Sequence, residues 1–351
     1  MICRIQKEDG VRFGVLLNMG AALGATPDEV FDATLRQTLV AEELGYADLW
    51  VTEHHFIRFG INPSALTTAS FLLGRTQRIR VGTAVVLSPL RHPVELAEQA
   101  ALLDQLSGGR FDLGLGRGGY RRDFEMLDVD FARWDDEPLA SAQRLLELWS
   151  EADEASSIQP RPLTQPHPPL LLATSSTPGV EFAARNGIAL QHYFATPADR
   201  RMAVEATYRE CQPPAQESPD HLHTLIVIVD AAPGRRDQLA AALRRSFRDG
   251  DHPHVPQAAN RHIGPDGRPA DPDAMAEHVA ANAIVGSPAQ VVDELGSFIE
   301  ATGARRIAGY HEAISDASVT LRSLEDFAQI VVPQLAGPRP AIRRSEPSAA
   351  R

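Results

Sequence analysis

Ala47-Asp48-Leu49-Trp50-Val51-Thr52-Glu53-His54-His55-Phe56 is the stretch on which the reading of this chain turns. A short, mostly apolar run over 47–51 ends in an acid and two imidazoles. That is the pattern of a buried strand stopping at a loop. In a barrel of parallel strands, the C-terminal strand ends are where catalytic side chains collect. An acid and two imidazoles placed there can hold, take or give a proton near neutral pH. A pair of structural histidines closing a strand would leave the same letters. The spacing alone leaves both readings open, and the rest of the chain has to decide.

Outward from this stretch, short apolar runs alternate with longer amphipathic ones. The pattern predicts strands over 12–17, 47–51, 79–86, 110–114, 170–173, 188–191, 224–229 and 306–309. Helices are predicted between and after them, over 27–44, 63–73, 94–106, 138–151, 179–186, 197–210, 235–248, 288–301 and 318–334. Thr26-Pro27, Asn62-Pro63 and Ser287-Pro288 each place a capping residue before a first-turn proline. In the first helix, Phe31, Leu35, Thr38 and Leu39 fall on one face, and Leu44-Gly45 ends it. Eight such units predict an α/β fold of the (β/α)8 TIM-barrel class. An open doubly wound sheet would favour a glycine-rich fingerprint after the first strand. Asn18-Met19-Gly20-Ala21 stands there instead. Residues 249–281 are rich in Pro, Asp, Asn and His and are too long for a plain connector, so they read as a lid or insertion near the seventh unit. The expected organisation is one domain over 1–336 and a disordered tail over 337–351.

Composition narrows the classes. The chain has 351 residues, 43% apolar and 23% charged, ordinary values for a globular protein with a large core. A net charge of −12 argues against nucleic acid and anionic membrane surfaces as partners. Lys7 is the single lysine, and every other basic residue is arginine, as a GC-rich coding sequence would give. Cys3 and Cys211 fit no metal-ligand spacing, so no metal is expected. No run approaches the roughly 18 apolar residues of a membrane span, and the first ten residues lack a signal-peptide core. A cytoplasmic location is expected.

Several segments, taken in order, resemble the bacterial luciferase-like flavin-dependent monooxygenases. They are Leu49 to Phe56, Val81-Gly82-Thr83-Ala84-Val85-Val86, His92-Pro93, and Leu103-Asp104-Gln105-Leu106-Ser107-Gly108-Gly109-Arg110-Phe111. The series continues with Gly114-Leu115-Gly116-Arg117-Gly118, Tyr120, Asp123-Phe124, Val285-Gly286-Ser287-Pro288 and Ala301-Thr302-Gly303. Each piece is weak and the ordered set is specific. The resemblance implies a (β/α)8 barrel with an insertion near the seventh unit. It implies FMN as cofactor, delivered as FMNH2 by a separate flavin reductase, with O2 reacting to give a C4a-peroxyflavin that inserts one oxygen atom into a small organic substrate. The flavin carries that chemistry, and the protein binds, orients and excludes water.

By the same resemblance His54 matches the family's catalytic histidine, His55 its neighbour, and Glu53 an orienting acid. Arg117 matches the arginine that binds the FMN phosphate, a contact suited to a guanidinium. Ser175, Ser176 and Gly179 lie in a hydroxyl-rich loop before a helix, which can hold an anion. The luciferase member has glutamate where Ser175 stands, and a reactive cysteine where Gly116 stands. Ala84-Val85 aligns with a non-proline cis peptide under the flavin ring. Tyr120, Tyr193 and Phe194 align with pocket walls, a position that a core aromatic would fill as well. Two other readings stay open: a deazaflavin-dependent hydride-transferring oxidoreductase of the same superfamily, and a non-catalytic flavin-binding protein. The substrate is not legible, and tailoring of secondary metabolites such as polyketides is one expectation. A homodimer is expected through the helices over 63–73 and 94–106, whose small residues Ser64, Ala65, Thr67, Thr68, Ala69, Ser70, Ala97, Ala100 and Ala101 would let helices approach closely.

Overall fold

The computed structural model describes residues 10–20, 25–58, 60–150, 158–248 and 271–335, apart from the side chains of 136 and 137. The predicted tail over 337–351 and residues 249–270 of the predicted lid lie outside the described residues.

Eight parallel strands close into a barrel. They are β1 (Arg12–Leu17), β2 (Asp48–Val51), β3 (Arg80–Thr83), β5 (Phe111–Gly116), β6 (Leu170–Leu172), β7 (Ala189–His192), β8 (Leu222–Val229) and β10 (Arg306–Tyr310). The ring closes because β10 pairs with both β8 and β1. Two short strands stand outside this count. The predicted strand over 79–86 is broken: it ends at Thr83, passes through a cis Ala84–Val85 peptide, and resumes as β4 (Val86–Leu87), paired to β5. β9 (Ile284–Gly286), not anticipated, pairs with the C-terminal end of β8.

Eleven of the helices carry the outer layer or connect it, and their ends follow local chemistry. α1 (Pro27–Leu44) has the predicted bounds, with a Thr26/Glu29 capping box and Gly45 in the left-handed region at φ 86°. Its buried face shares only Thr38 with the predicted one. Val30, Thr34, Gln37, Thr38 and Ala41 face inward, while Phe31 and Leu39 are exposed. Gln37 turns in because its Nε2–H donates to Glu312 Oε2 at 3.1 Å, a partner that apolar periodicity could not register. α2 (Ala65–Arg75) is capped by Ser64, whose Oγ accepts from Thr67 N–H, and not by Asn62. α3 (Pro93–Ser107) ends at Gly108, also left-handed. The short α4 (Arg121–Met126) was not anticipated. α5 (Arg133–Ser150) starts before Pro138 and carries that proline inside. α6 (Thr177–Arg185) starts at the Ser176 cap rather than at Gly179. α7 (Ala198–Cys211) and α8 (Arg235–Arg248) stand near their predicted bounds. Within the predicted lid, α9 (Pro272–Ala281) is a capped helix that packs on α8 and buries Ala276 and Val279. Ala276 and Val279 give this part of the predicted lid an apolar anchor, unlike a plain polar loop. α10 (Pro288–Thr302) has the expected Ser287 cap, and α11 (Ala317–Asp326) continues through a π-turn towards Leu335.

The barrel floor is charged. Arg306 reaches Asp48 at 2.9 Å and also pairs with Asp112, which Arg80 contacts as well. Asp48, Asp112 and Arg306 lie on β2, β5 and β10, which are not mutual neighbours, so the side chains meet across the lumen. Trp50 Nε1–H donates to Asp48 Oδ1 at 2.7 Å, and the Arg306 guanidinium lies over its ring. The Asp104–Phe111 motif belongs to this end too. Asp104 accepts from Thr164 N–H and Oγ1, and Arg110 donates to carbonyls of Leu73, Thr76, Ile79 and Ser107. It ties the ends of α2 and α3 to the start of β3.

Candidate active site at the C-terminal barrel mouth

Strand register brings the predicted residues to one end. Leu17 of β1 pairs with Val51 of β2, and Val51 with Thr83 of β3. Asn18, Glu53, His54 and the cis Ala84–Val85 peptide therefore leave neighbouring strands at the same mouth. Leu115 of β5 pairs with Leu172 of β6, so Arg117 and the loop over 173–176 leave side by side.

His54 is half-buried and held from several sides. Its main-chain N–H donates to Asn62 O at 2.8 Å, and its Nε2 lies 3.1 Å from Asn18 Oδ1. The Tyr120 ring meets it edge-on at 6.5 Å. Gly60 packs so closely that a Cβ there would stand 2.5 Å from His54 Cδ2. Glu53 is buried and already occupied. Its oxygens accept from Ala65 N–H at 2.9 Å and Leu87 N–H at 3.3 Å, and Arg91 lies 3.2 Å away. Burial pushes this carboxyl up, and His55, Arg91 and the Ala65 N–H together outweigh it, so it lies below the usual range. Glu53 is thus a fixed anion tying the loop to α2 and β4. His55 is buried with Nε2 3.7 Å from Glu53 Oε1, beyond hydrogen-bond length. Beside them is buried Asp123 of α4, whose Oδ1 has no partner among the described residues. Burial pushes its carboxyl up to about 7, against the pull of His55 and with the push of Glu53.

Arg117 leaves β5 with its guanidinium 3.6 Å above the Trp134 ring and 3.3 Å from Asp135. Trp134 is itself pinned, donating to Gly118 O at 3.1 Å. In the next loop Ser176 Oγ caps α6 by accepting from Gly179 N–H at 3.3 Å, and Thr174 Oγ1 lies 3.2 Å from that hydroxyl. Ser175, Ser176 and Thr177 are exposed. A Cβ on Gly179 would collide with Thr174, so glycine is what lets the loop close here. Gly116 makes room for the Val85 side chain, which a Cβ would meet at 2.6 Å. A stacked cation and exposed hydroxyls at a helix start, on loops that leave paired strands, fit a phosphate. These residues fit FMN. Tyr120 and Phe194 are buried, whereas Tyr193 stands 42% exposed.

Sequence reasoning missed Asn18, Gly60, Tyr310 and Glu312. Asn18, Tyr310 and Glu312 sit at or just beyond strand ends, so the strand-end rule that found His54 would have found them. Gly60 carries no such signal.

One group outside the mouth could hold a metal among the described residues: His192, Glu205 and His223, all buried. Glu205 Oε1 lies 3.0 Å from His192 Nε2 and 3.3 Å from His223 Nε2. Burial holds both imidazoles below their ordinary pKa, and the nearby Arg201 charge adds to this. The buried Arg201 charge already acts on Glu205, and a dication would add uncompensated buried charge. We read this group as hydrogen-bonded packing between the barrel and α7.

The family profile described as luciferase-like monooxygenase matches residues 11–306. The chain belongs to this family. It is 30% identical over 198 residues to the oxygenase component of flavin-dependent trigonelline monooxygenase from Acinetobacter baylyi, a match covering 52% of this chain and 54% of that one. The chain thus spans about half the length of this relative. It is 25% identical over 348 residues to the alkanal monooxygenase alpha chain of Photobacterium leiognathi, covering 90% and 96%. Among solved structures, apo-MsnO8 superposes with a TM-score of 0.76 at 26% identity, covering 94% of this chain and all of that one. No helix among the described residues is long and apolar enough to cross a membrane.

Proposed function

We propose that this luciferase-like protein is the oxygenase of a two-component system. It takes FMNH2 from a separate flavin reductase and uses O2 to place one oxygen atom on a small organic substrate. The observation that carries this is the meeting, at one barrel mouth, of His54 with the Arg117 and Ser175–Gly179 loops. Family membership and the printed names of the trigonelline and alkanal relatives support it. Bound reduced flavin would supply the electrons and the oxygen-activating chemistry.

The chain's own residues do the rest. Arg117 and the hydroxyls of Ser175 and Ser176 hold the phosphate, with Gly179 shaping the loop. Ala84, Val85 and Tyr120 border the ring. His54 holds or moves a proton at its imidazole nitrogens. His55 supports the loop, and Glu53 fixes it. Tyr193, exposed at the rim, faces the substrate side. We also propose a homodimer along α2 and α3, with altered contacts. Ala65, Ala69, Ala97, Ala100 and Ala101 are buried within the single chain, against its own barrel. The partner face is then Phe71, Leu102 and Leu106, exposed by 52%, 44% and 73%.

The test is to load the protein anaerobically with FMNH2, mix with O2 and follow flavin reoxidation. Protein-bound flavin is expected to reoxidise more slowly than free FMNH2. Identical rates, with binding demonstrated, would reject the oxygenase reading.

A further inference from the structure

We propose that Asn18 is a positioning residue: its carboxamide fixes neutral His54 as the Nε2–H tautomer and so leaves the ring's basic lone pair on Nδ1. This rests on the reading of His54 as the proton-handling group of the site. Which nitrogen carries the proton decides which atom can accept one, so a tautomer lock is a direct control on that role.

Asn18 is 1% exposed, just past the end of β1. Its main-chain N–H donates to Glu312 Oε1 at 2.6 Å, and the next N–H, of Met19, donates to the same oxygen at 2.8 Å. The backbone at the strand end is therefore fixed. The amide is then oriented by its neighbours. Nδ2 donates to Tyr310 Oη at 3.2 Å, and Oδ1 accepts from Thr52 Oγ1 at 3.2 Å. Burial and the nearby Glu312 carboxyl hold the Tyr310 phenol far above its ordinary pKa, so it keeps its proton. In the bond between them Oη is the acceptor, so Nδ2 is spent on Tyr310. With Nδ2 committed to Tyr310, only Oδ1 faces His54 Nε2, and an oxygen there requires Nε2 to donate.

The surroundings prevent the ring from escaping this choice. Gly60 presses on both partners: a Cβ there would stand 2.5 Å from His54 Cδ2 and 2.7 Å from Asn18 O. Tyr120 closes another side. Glu312 and Tyr310 both hold Asn18, and Asn18 meets His54, so the ends of β10, β1 and β2 converge on one ring nitrogen.

The test is nitrogen NMR of histidine-labelled, flavin-free protein, with the His54 signals assigned by their loss in His54→Gln. Wild type is expected to show the Nε2–H tautomer. Asn18→Ala should shift the tautomer ratio by about three- to tenfold, the effect of one neutral hydrogen bond. Tyr310→Phe, which removes the acceptor for Nδ2 and little volume, should move the ratio in the same direction if Asn18→Ala does not fold. Asn18→Asp should keep the tautomer and raise the His54 pKa, because a carboxylate favours the charged ring. The acid limb of the turnover profile should move up with it while FMN affinity stays unchanged. A wild-type Nδ1–H tautomer, or unchanged His54 signals in both Asn18→Ala and Tyr310→Phe, would overturn the proposal. Loss of the tautomer preference in a protein that shows no flavin oxidation chemistry would instead uphold the lock and refute the function it serves.

Discussion

Gly60→Ala should cripple catalysis through His54 alone. The added Cβ would lie 2.5 Å from His54 Cδ2 and 2.7 Å from Asn18 O, whereas ordinary contact begins near 3.4 Å. About 0.9 Å must therefore be found at the ring. The Asn18 main chain cannot yield it, because the Asn18 and Met19 N–H groups are both held by Glu312. The imidazole has to move. A misplacement of about 1 Å in a reacting group costs on the order of 100-fold in rate. The assay is product formation with FMNH2 supplied by a reductase, beside the dissociation constant for FMNH2. Turnover should fall by roughly 100-fold with FMNH2 affinity preserved, since the added carbon meets His54 and Asn18 and not Arg117 or the Ser175 loop. Gly74→Ala is the control. That position lies in α2 with nothing within 4 Å of the added carbon, so activity should hold and stability rise by about 0.5–1 kcal/mol. Wild-type turnover in Gly60→Ala would refute the view that His54 must sit where it does.

Further expectations concern assembly and stability. Leu106→Glu together with Phe71→Glu should convert a dimer to folded monomer by light scattering; an unchanged mass near that of two chains would place the interface elsewhere. Arg306→Met leaves Asp48 and Asp112 buried without their shared cation, and should cost about 3–5 kcal/mol in urea unfolding, or roughly 4–7 °C in Tm for a chain of this size. A loss under about 1 kcal/mol would mean the floor tolerates bare carboxylates. Acid should destabilise the fold early. Burial holds His221 at about 4, His223 at about 2 and His311 at about 3, with His192 also lowered. Folded values below the ordinary 6.5 mean that the unfolded chain binds the extra protons, so stability is lost as pH falls from 6.5 towards 4. The raised Asp123 and Glu312 carboxyls act oppositely, their contributions fading as pH rises, but the four lowered imidazoles outnumber them. A Tm that stays flat between pH 6.5 and 4 would contradict this.

The barrel was legible because each buried strand is a short apolar run and each helix a longer periodic one. The register of those strands then brought His54, Arg117 and the Ser175 loop to one end without further assumption. What stayed hidden were choices made by a single long-range contact. Gln37 turned a helix face inward for Glu312, 275 residues away. The break at Ala84–Val85 leaves no mark on apolar pattern, and only the family resemblance suggested it. Of the small residues of α2 and α3, the alanines pack within the chain while Thr67 and Ser70 stay exposed, because smallness serves close packing on the chain's own barrel as well as on a partner. Much of the recognisable motif proved to be scaffold: Asp104 and Arg110 work at the far end from the mouth. Asn18 and Tyr310 stand at strand ends, where the rule that picked His54 applies, but their roles depend on partners up to 294 residues away.

The central claim is that reduced FMN binds at this mouth through Arg117. Anaerobic titration with FMNH2, comparing wild type with Arg117→Ala, tests it most directly. The lost charged contact should weaken binding by about 2–3 kcal/mol, or roughly 30- to 150-fold in Kd. Equal dissociation constants for the two proteins would contradict the account.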